Sequence, residues 1–301
     1  MMKKRLVWRY LTLFVLLIGV VLVGASYQHA SRQAKLNSAL SKAVSDVDVP
    51  AAISLLNRGA DPNTRYQRKI DLSFLDFIKR LFTSQQTVRS QGGATPSVLQ
   101  IAIGEAYPGV YHSPYKGVSD YDAIGEALVT AGADSHISVG FPQTPLAAAA
   151  AYGMPRTVLR LLQRGENANA RDKNGSYPLI GADAQCTKIL LQHGANPNIC
   201  TADGVTPLRV ATTVVEGREI VAVLLAGGAN PNLKDKDGCT PLMYAGDPTS
   251  AKLLIQYGAD VNATDNKGLN VWAHTRKYAD YYSAEEHKAL MSILKQHGAK
   301  E

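Results

Sequence analysis

Thr206-Pro207-Leu208-Arg209-Val210-Ala211 and, one apolar segment later, Gly228-Ala229-Asn230 form the stretch on which the fold turns, because both halves recur along the chain. The first half returns as Thr144-Pro145-Leu146 with Ala149, Tyr177-Pro178-Leu179 with Ala182, Thr240-Pro241-Leu242 with Ala245, and more weakly as Ser97-Val98-Leu99 with Ala102. The second half returns as Gly59-Ala60-Asp61, Gly132-Ala133-Asp134, Gly165-Glu166-Asn167, Gly194-Ala195-Asn196, Gly258-Ala259-Asp260 and Gly298-Ala299-Lys300. The glycines at 132, 165, 194, 228 and 258 are separated by 33, 29, 34 and 30 residues. Self-similarity at such a period marks a stack of small units that share one continuous core.

Each recurring element has a mechanical reason. Threonine caps a helix N-terminus, and proline suits the first helical position, where its missing N–H has no partner to lose. A first helix is therefore predicted to start at each Thr-Pro. The second helix of a unit shows apolar residues at helical spacing, as in Val158, Leu159, Leu161 and Leu162, and ends at a glycine able to turn left-handed. Between units lie Asp172-Lys173-Asn174-Gly175, Asp235-Lys236-Asp237-Gly238 and Asp265-Asn266-Lys267-Gly268, whose composition favours tight turns that protrude as fingers.

The pattern resembles the ankyrin repeat family, whose unit is a β-turn finger followed by two antiparallel helices with a Thr-Pro-Leu-His-x-Ala signature and a period near 33. The resemblance covers residues 36 to 300 and implies an all-α ankyrin repeat solenoid of about six to seven irregular repeats. The chain departs from the family at the signature histidine, replaced by Ala147, Ile180, Arg209 and Met243. A weaker polar network between repeats is expected from that loss. Two units are clipped, Pro178 to Gly194 and Pro241 to Gly258, the latter restarting at Asp247-Pro248-Thr249.

Two insertions, near residues 64–94 and 106–121, must face outwards because the stack has no room for them. The first carries Ile70, Leu72, Phe74, Leu75, Phe77, Ile78, Leu81 and Phe82, the pattern of an amphipathic helix that either lids the N-terminal end of the stack or serves another surface. The second crowds Tyr107, Tyr111, His112, Tyr115 and Tyr121 among prolines and glycines. Tyrosine gives large contact area at low entropic cost, so this loop either binds a partner or packs on the repeats.

Ahead of the repeats, residues 1–30 are set apart from 31–301 by the apolar run Leu11–Ala25 behind Lys3, Lys4 and Arg5. It reads as a signal peptide cleaved after Ala25 or as a hydrophobic anchor through residues 6–27, with Trp8, Tyr10 and Tyr27 at the interfaces. Either way the repeat domain is expected in the periplasm, tethered to a bacterial inner membrane or free. Four of the net charge of +7 sit at Lys3, Lys4, Arg5 and Arg9, which leaves +3 for the remainder and no basic stripe suited to nucleic acid. Cys186, Cys200 and Cys239 have no metal-ligand spacing and read as apolar filler.

Neither a nucleophile elbow, a phosphate loop nor a His-Glu-x-x-His helix occurs, so no enzyme, no cofactor and no metal are expected. Asp235 with Asp237 lacks the ligand number calcium needs. Binding to another protein is the function that the resemblance implies, through finger tips and first helices. The candidates carried over are Arg171, Lys173, Asp203, Lys234, Asp235, Lys236, Asp237 and Asp265 on the fingers, with Tyr152, Arg209, Met243 and Tyr244 on the first helices. Their mixed charge suits a polar protein partner. The insertion signal with irregular units is also similar to envelope immunity proteins that neutralise phospholipase effectors of type VI secretion systems, which makes such a toxin one expected partner. A membrane-tethered scaffold or envelope-maintenance factor is the alternative.

Overall fold

The structure is a computed structural model that describes residues 25–64, 99, 118–135, 144–214, 217–277 and 283–300. Among these, helices alternate along the chain: α1 (25–45), α2 (Val49–Asn57), α3 (Val118–Thr130), α4 (Pro145–Ala151), α5 (Pro155–Gln163), α6 (Ala184–Gln192), α7 (Pro207–Thr213), α8 (Arg218–Ala226), α9 (Pro241–Tyr244), α10 (Pro248–Gln256), α11 (Val271–Lys277) and α12 (Ala284–Gln296). The second helices α2, α3, α5, α6, α8, α10 and α12 pack each on the next in one continuous layer. The first helices α7, α9 and α11 line up beside it in a second layer. Seven units follow, ending at Gly59, Gly132, Gly165, Gly194, Gly228, Gly258 and Gly298.

Those seven glycines have φ between 81° and 97°, the region closed to ordinary side chains. Each lets the chain reverse so that the next N–H reaches back into the helix. Gly194 N–H donates to Leu191 O at 3.1 Å and Ala195 N–H to Leu190 O at 2.9 Å, and the same pair of bonds closes α8, α10 and α12. This satisfies two orphan carbonyls and buries the alanine of the Gly-Ala marker, with Ala133, Ala195, Ala229 and Ala259 all in the core.

Two Thr-Pro starts follow the sequence logic, while Thr240 makes no side-chain cap bond and its buried Oγ1 has no partner among the described residues. Thr144 Oγ1 accepts from Ala147 N–H at 3.2 Å, and Thr206 Oγ1 from Arg209 N–H at 3.1 Å, with proline next in both cases. The seventh unit lacks Thr-Pro-Leu altogether, yet Asn270 Oδ1 caps α11 by accepting from Ala273 N–H at 3.1 Å. Asparagine caps as well as threonine. In the clipped units the first helix shrinks to a turn over 178–181 and to the single turn α9, while Asp183 and Asp247 cap the second helices.

The expectation of a thin polar network between repeats is not met, because asparagines elsewhere supply one. In the marker Gly-Ala-x-x-Asn, the last asparagine clamps the following unit with both ends of its amide. Asn198 Nδ2 donates to Gly228 O at 3.1 Å while its Oδ1 accepts from Asn230 N–H at 2.7 Å. Asn63, Asn169, Asn232 and Asn262 repeat the clamp on the units ending at Gly132, Gly194, Gly258 and Gly298. The Asn63 clamp reaches Gly132 across the whole of the first insertion and the second, so the stack closes as though neither were there. A further link runs from α3, where buried Asp122 accepts from the first N–H groups of α5.

Helix α1 crosses the 30/31 boundary without a break, burying Leu36, Leu40, Ala43 and Val44 along one stripe. Helix α3 begins by residue 118, so Tyr121 is a half-buried helical residue packed on the core, where the sequence placed it in the second insertion. Its helical register, three residues before Ile124 on the packed face, draws the ring inwards. Tyr107, Tyr111, His112, Tyr115, the first insertion beyond residue 64 and the second up to residue 117 lie outside the described residues, as does the apolar run up to residue 24. Among the described residues no helix is long and apolar enough to cross a membrane.

Candidate functional site

The fingers carry the exposed charge, and their backbones are fixed from within and from the neighbouring finger. In each Asp-x-x-Gly turn the aspartate Oδ1 collects two backbone N–H groups. Asp172 takes Asn174 and Ser176, Asp235 takes Asp237 and Cys239, and Asp265 takes Lys267 and Leu269, all between 2.8 and 3.0 Å. Successive tips then join through backbone bonds, Lys236 N–H to Asp203 O and Asn266 N–H to Asp237 O, both 3.0 Å. Glycine is required where the tips meet, since a Cβ on Gly238 would stand 2.7 Å from Asn266 N and one on Gly204 2.7 Å from Asp235 Cα. The tips therefore form a pre-set row of turns.

What the second carboxylate oxygen meets differs from finger to finger. Asp172 Oδ2 is buried without a partner. Asp235 Oδ2 accepts the Tyr244 hydroxyl at 2.6 Å and lies 3.2 Å from Arg209 Nε. The arginine N–H is not aligned for a hydrogen bond, so that pair is Coulombic, and the guanidinium also sits 4.3 Å above the Tyr244 ring. Burial, reinforced by the Asp235 acceptor, pushes the Tyr244 phenol up and keeps it a neutral donor. Asp265 Oδ2 faces His274 Nε2 at 3.0 Å, and Cys239 Sγ stands 3.9 Å from the same nitrogen. Burial raises the Asp265 carboxyl, but the Leu269 N–H, His274 and the Lys267 N–H outweigh it and hold the group below the usual carboxylate range.

The structure sorts the candidates drawn from sequence. Arg171, Lys173, Asp203, Lys234, Lys236 and Asp237 are exposed on the fingers. Lys236 pairs with Asp203 at 3.1 Å, both side chains more than half exposed, so this bridge adds little stability. Lys234 Nζ donates to Thr264 O at 2.8 Å in the next finger. Arg209, Tyr244 and Asp265 are committed to the inner network just described. Tyr152 is the half-buried cap of α4. Met243 and Asp235 are corrected as surface residues, being 4% and 9% exposed. The single-turn helix α9 turns Pro241, Leu242 and Met243 into the core, and Asp235 points into its own turn.

His274 and the clamp asparagines are what sequence reasoning missed. The signal for His274 was present: Asp265 stands as far before Asn270 as Asp235 before Thr240, and His274 is as far beyond as Tyr244. Of the cysteines, Cys186 and Cys239 are buried and Cys200 is exposed. Burial, with Asp183 beside the first, raises both buried thiols. The folded chain is expected to react with one equivalent of a thiol reagent, at Cys200, and with three only after unfolding. Rapid labelling of a second cysteine in the folded state would contradict this placement.

A family model described as "Ankyrin repeats (3 copies)" matches residues 146–235 and 180–265. The chain is 33% identical over 130 residues, 41% of its length, to neurogenic locus notch homolog protein 4 of Homo sapiens, of which it covers 6%. It is 32% identical over 108 residues, 35% of its length, to the E3 ubiquitin-protein ligase Ufd4 of Drosophila melanogaster, of which it covers 4%. The chain thus spans only a small part of these relatives' length. Ankyrin repeats are present in this protein, and they point to a protein-binding role.

Proposed function

We infer that the finger row is a rigid recognition edge for a folded protein partner of mixed surface charge and that the chain is not an enzyme. The observation that carries this is the contrast along the row, where each Asp-x-x-Gly turn is closed from within and the tips at Asp203, Lys236, Asp237 and Asn266 are bonded to one another, while Arg171, Lys173, Asp203, Lys236 and Asp237 keep exposed side chains. Binding through such an edge loses little conformational freedom, and its alternating charge selects among partners and speeds their approach. The finer reading follows from the apolar run behind Lys3, Lys4 and Arg5, which supports export or anchoring with the repeats in the periplasm. There the partner would be a secreted phospholipase toxin that the stack neutralises.

The partner is tested by co-expressing the full chain with the products of adjacent genes and assaying capture and toxicity. Reversing Arg171 and Lys173 together to Glu is expected to weaken capture tenfold or more, roughly 1.4 kcal/mol, with thermal unfolding unchanged. Equal capture by that variant would remove the finger edge from the interface. Capture without rescue of viability would favour a scaffold over an immunity protein.

A further inference from the structure

We propose that Cys239, Asp265 and His274 form a binding site for a zinc-class divalent cation that staples the sixth repeat to the seventh. Cys239 closes the finger of the sixth unit, Asp265 opens the finger of the seventh, and His274 lies on α11. One potential ligand atom from each lies within 4.8 Å of the other two. A thiol, an imidazole and a carboxylate are the donor set that zinc takes and that calcium and magnesium do not.

The spacing fits the ion before it enters. A tetrahedral zinc with sulfur at about 2.3 Å and nitrogen and oxygen at about 2.0–2.1 Å holds its N and O ligands about 3.3 Å apart and its N and S ligands about 3.6 Å apart. Here His274 Nε2 is 3.0 Å from Asp265 Oδ2 and 3.9 Å from Cys239 Sγ. Adjustments of about 0.3 Å bring these two edges to tetrahedral length, the Cys239–Asp265 edge, within 4.8 Å, closes towards about 3.6 Å, and water supplies the fourth corner.

Two of the ligands are already held in place. Asp265 Oδ1 is fixed by the Lys267 and Leu269 N–H groups, which leaves Oδ2 to the site. Cys239 is fixed by its own N–H to Asp235 Oδ1 and by its carbonyl, which accepts from Asp235 N–H, both 3.0 Å. Side chains held this way lose little freedom on binding metal.

A plain hydrogen-bonded pair is the competing account, and the preceding unit shows what one looks like. There Tyr244 occupies the position equivalent to His274 and donates a short bond to Asp235. His274 differs, because its Nε2 faces the Asp265 carboxylate and the Cys239 sulfur together, where Tyr244 meets one carboxylate oxygen. No other finger brings a cysteine to this place: the positions equivalent to Cys239 are Ser176, Val205 and Leu269. On binding, the Cys239 thiol releases its proton to solvent and the thiolate takes the metal.

Cobalt(II) is the probe, added to the full chain in detergent solution. One equivalent is expected to bind with a thiolate-to-cobalt charge-transfer band and tetrahedral ligand-field bands, and an equivalent of zinc should bleach them. Cys239→Ser should abolish the charge-transfer band and His274→Gln should weaken binding tenfold or more, while Cys200→Ser changes neither. Zinc should also raise the thermal midpoint of the parent chain, and raise that of His274→Gln by less at the same concentration. An octahedral spectrum without the thiolate band, or a band that survives Cys239→Ser and disappears in Cys200→Ser, would overturn the proposal.

Discussion

Leu161→Ala is expected to lower the folding free energy by about 2–5 kcal/mol, read as a fall in the urea midpoint. Leu161 has no exposed surface and sits on α5, which packs on α3, α4 and α6 and so belongs to three repeats at once. Its carbonyl also accepts the Glu166 N–H that closes the helix. Truncation removes buried apolar surface and leaves a cavity that the neighbouring helices cannot collapse into, since each is pinned by its own caps and clamps. In a stack each unit touches only its neighbours, so a lesion at the third unit is felt on both sides. Leu294→Ala on α12, which among the described residues packs on α10 and α11, should cost less. A loss below about 0.5 kcal/mol for Leu161→Ala, the range of a surface change, would mean that α5 is not the buried spine it is taken to be.

Which parts of this molecule were legible in the sequence follows from the range of the forces involved. Helix starts at Thr-Pro and stops at Gly-Ala are set by backbone groups within one turn, so residues 206–207 and 228–229 announce them without reference to the rest of the chain. The Asp-x-x-Gly fingers are local for the same reason. The first helix of the seventh unit escaped because Asn270-Val271-Trp272 performs the role of Thr-Pro-Leu with none of its letters, and only the phase from Asp265 gives it away. The clamps escaped because an asparagine near a turn looks like turn chemistry. That Asn198 also grips Gly228 is a contact thirty residues away, visible only once the units are stacked. The site candidates fared unevenly for a related reason. Register identifies which residues lie on a finger or a first helix, but whether a carboxylate such as Asp235 faces solvent or turns inwards depends on contacts that form only in the fold, here Tyr244 of its own unit and Arg209 of the preceding one. Met243 was misplaced because the clipped helix α9 has too few residues to keep an outer face.

Asp122→Ala is the second change expected to be severe, although it removes no apolar surface. Helix α5 has Met154 at its N-terminal cap, a residue with no oxygen to offer, and no side-chain bond is made there. The neighbouring repeat supplies the cap instead. Asp122, 3% exposed on α3, accepts from Thr157 N–H at 2.8 Å and Arg156 N–H at 3.0 Å, while its backbone carbonyl accepts the Thr157 hydroxyl at 3.1 Å. The close approach that permits this depends on Gly125, where a Cβ would lie 2.4 Å from Thr157 Oγ1. Deleting the carboxylate strands both N–H groups away from water, at roughly 1–3 kcal/mol each. It also removes a negative charge from the positive end of the helix, worth about 0.3–1 kcal/mol. Asp122→Asn retains one acceptor oxygen, so it should lie between parent and alanine variant. Asp183→Ala, which removes a cap that serves its own helix α6, should cost about 0.5–2 kcal/mol, the ordinary value for a cap. The discriminating measurement is the ratio of the two alanine variants in chemical unfolding. A cap shared between repeats predicts the larger loss at Asp122, together with faster amide exchange at the start of α5. Equal losses would reduce Asp122 to an ordinary cap and leave the asparagine clamps as the main polar coupling along the stack.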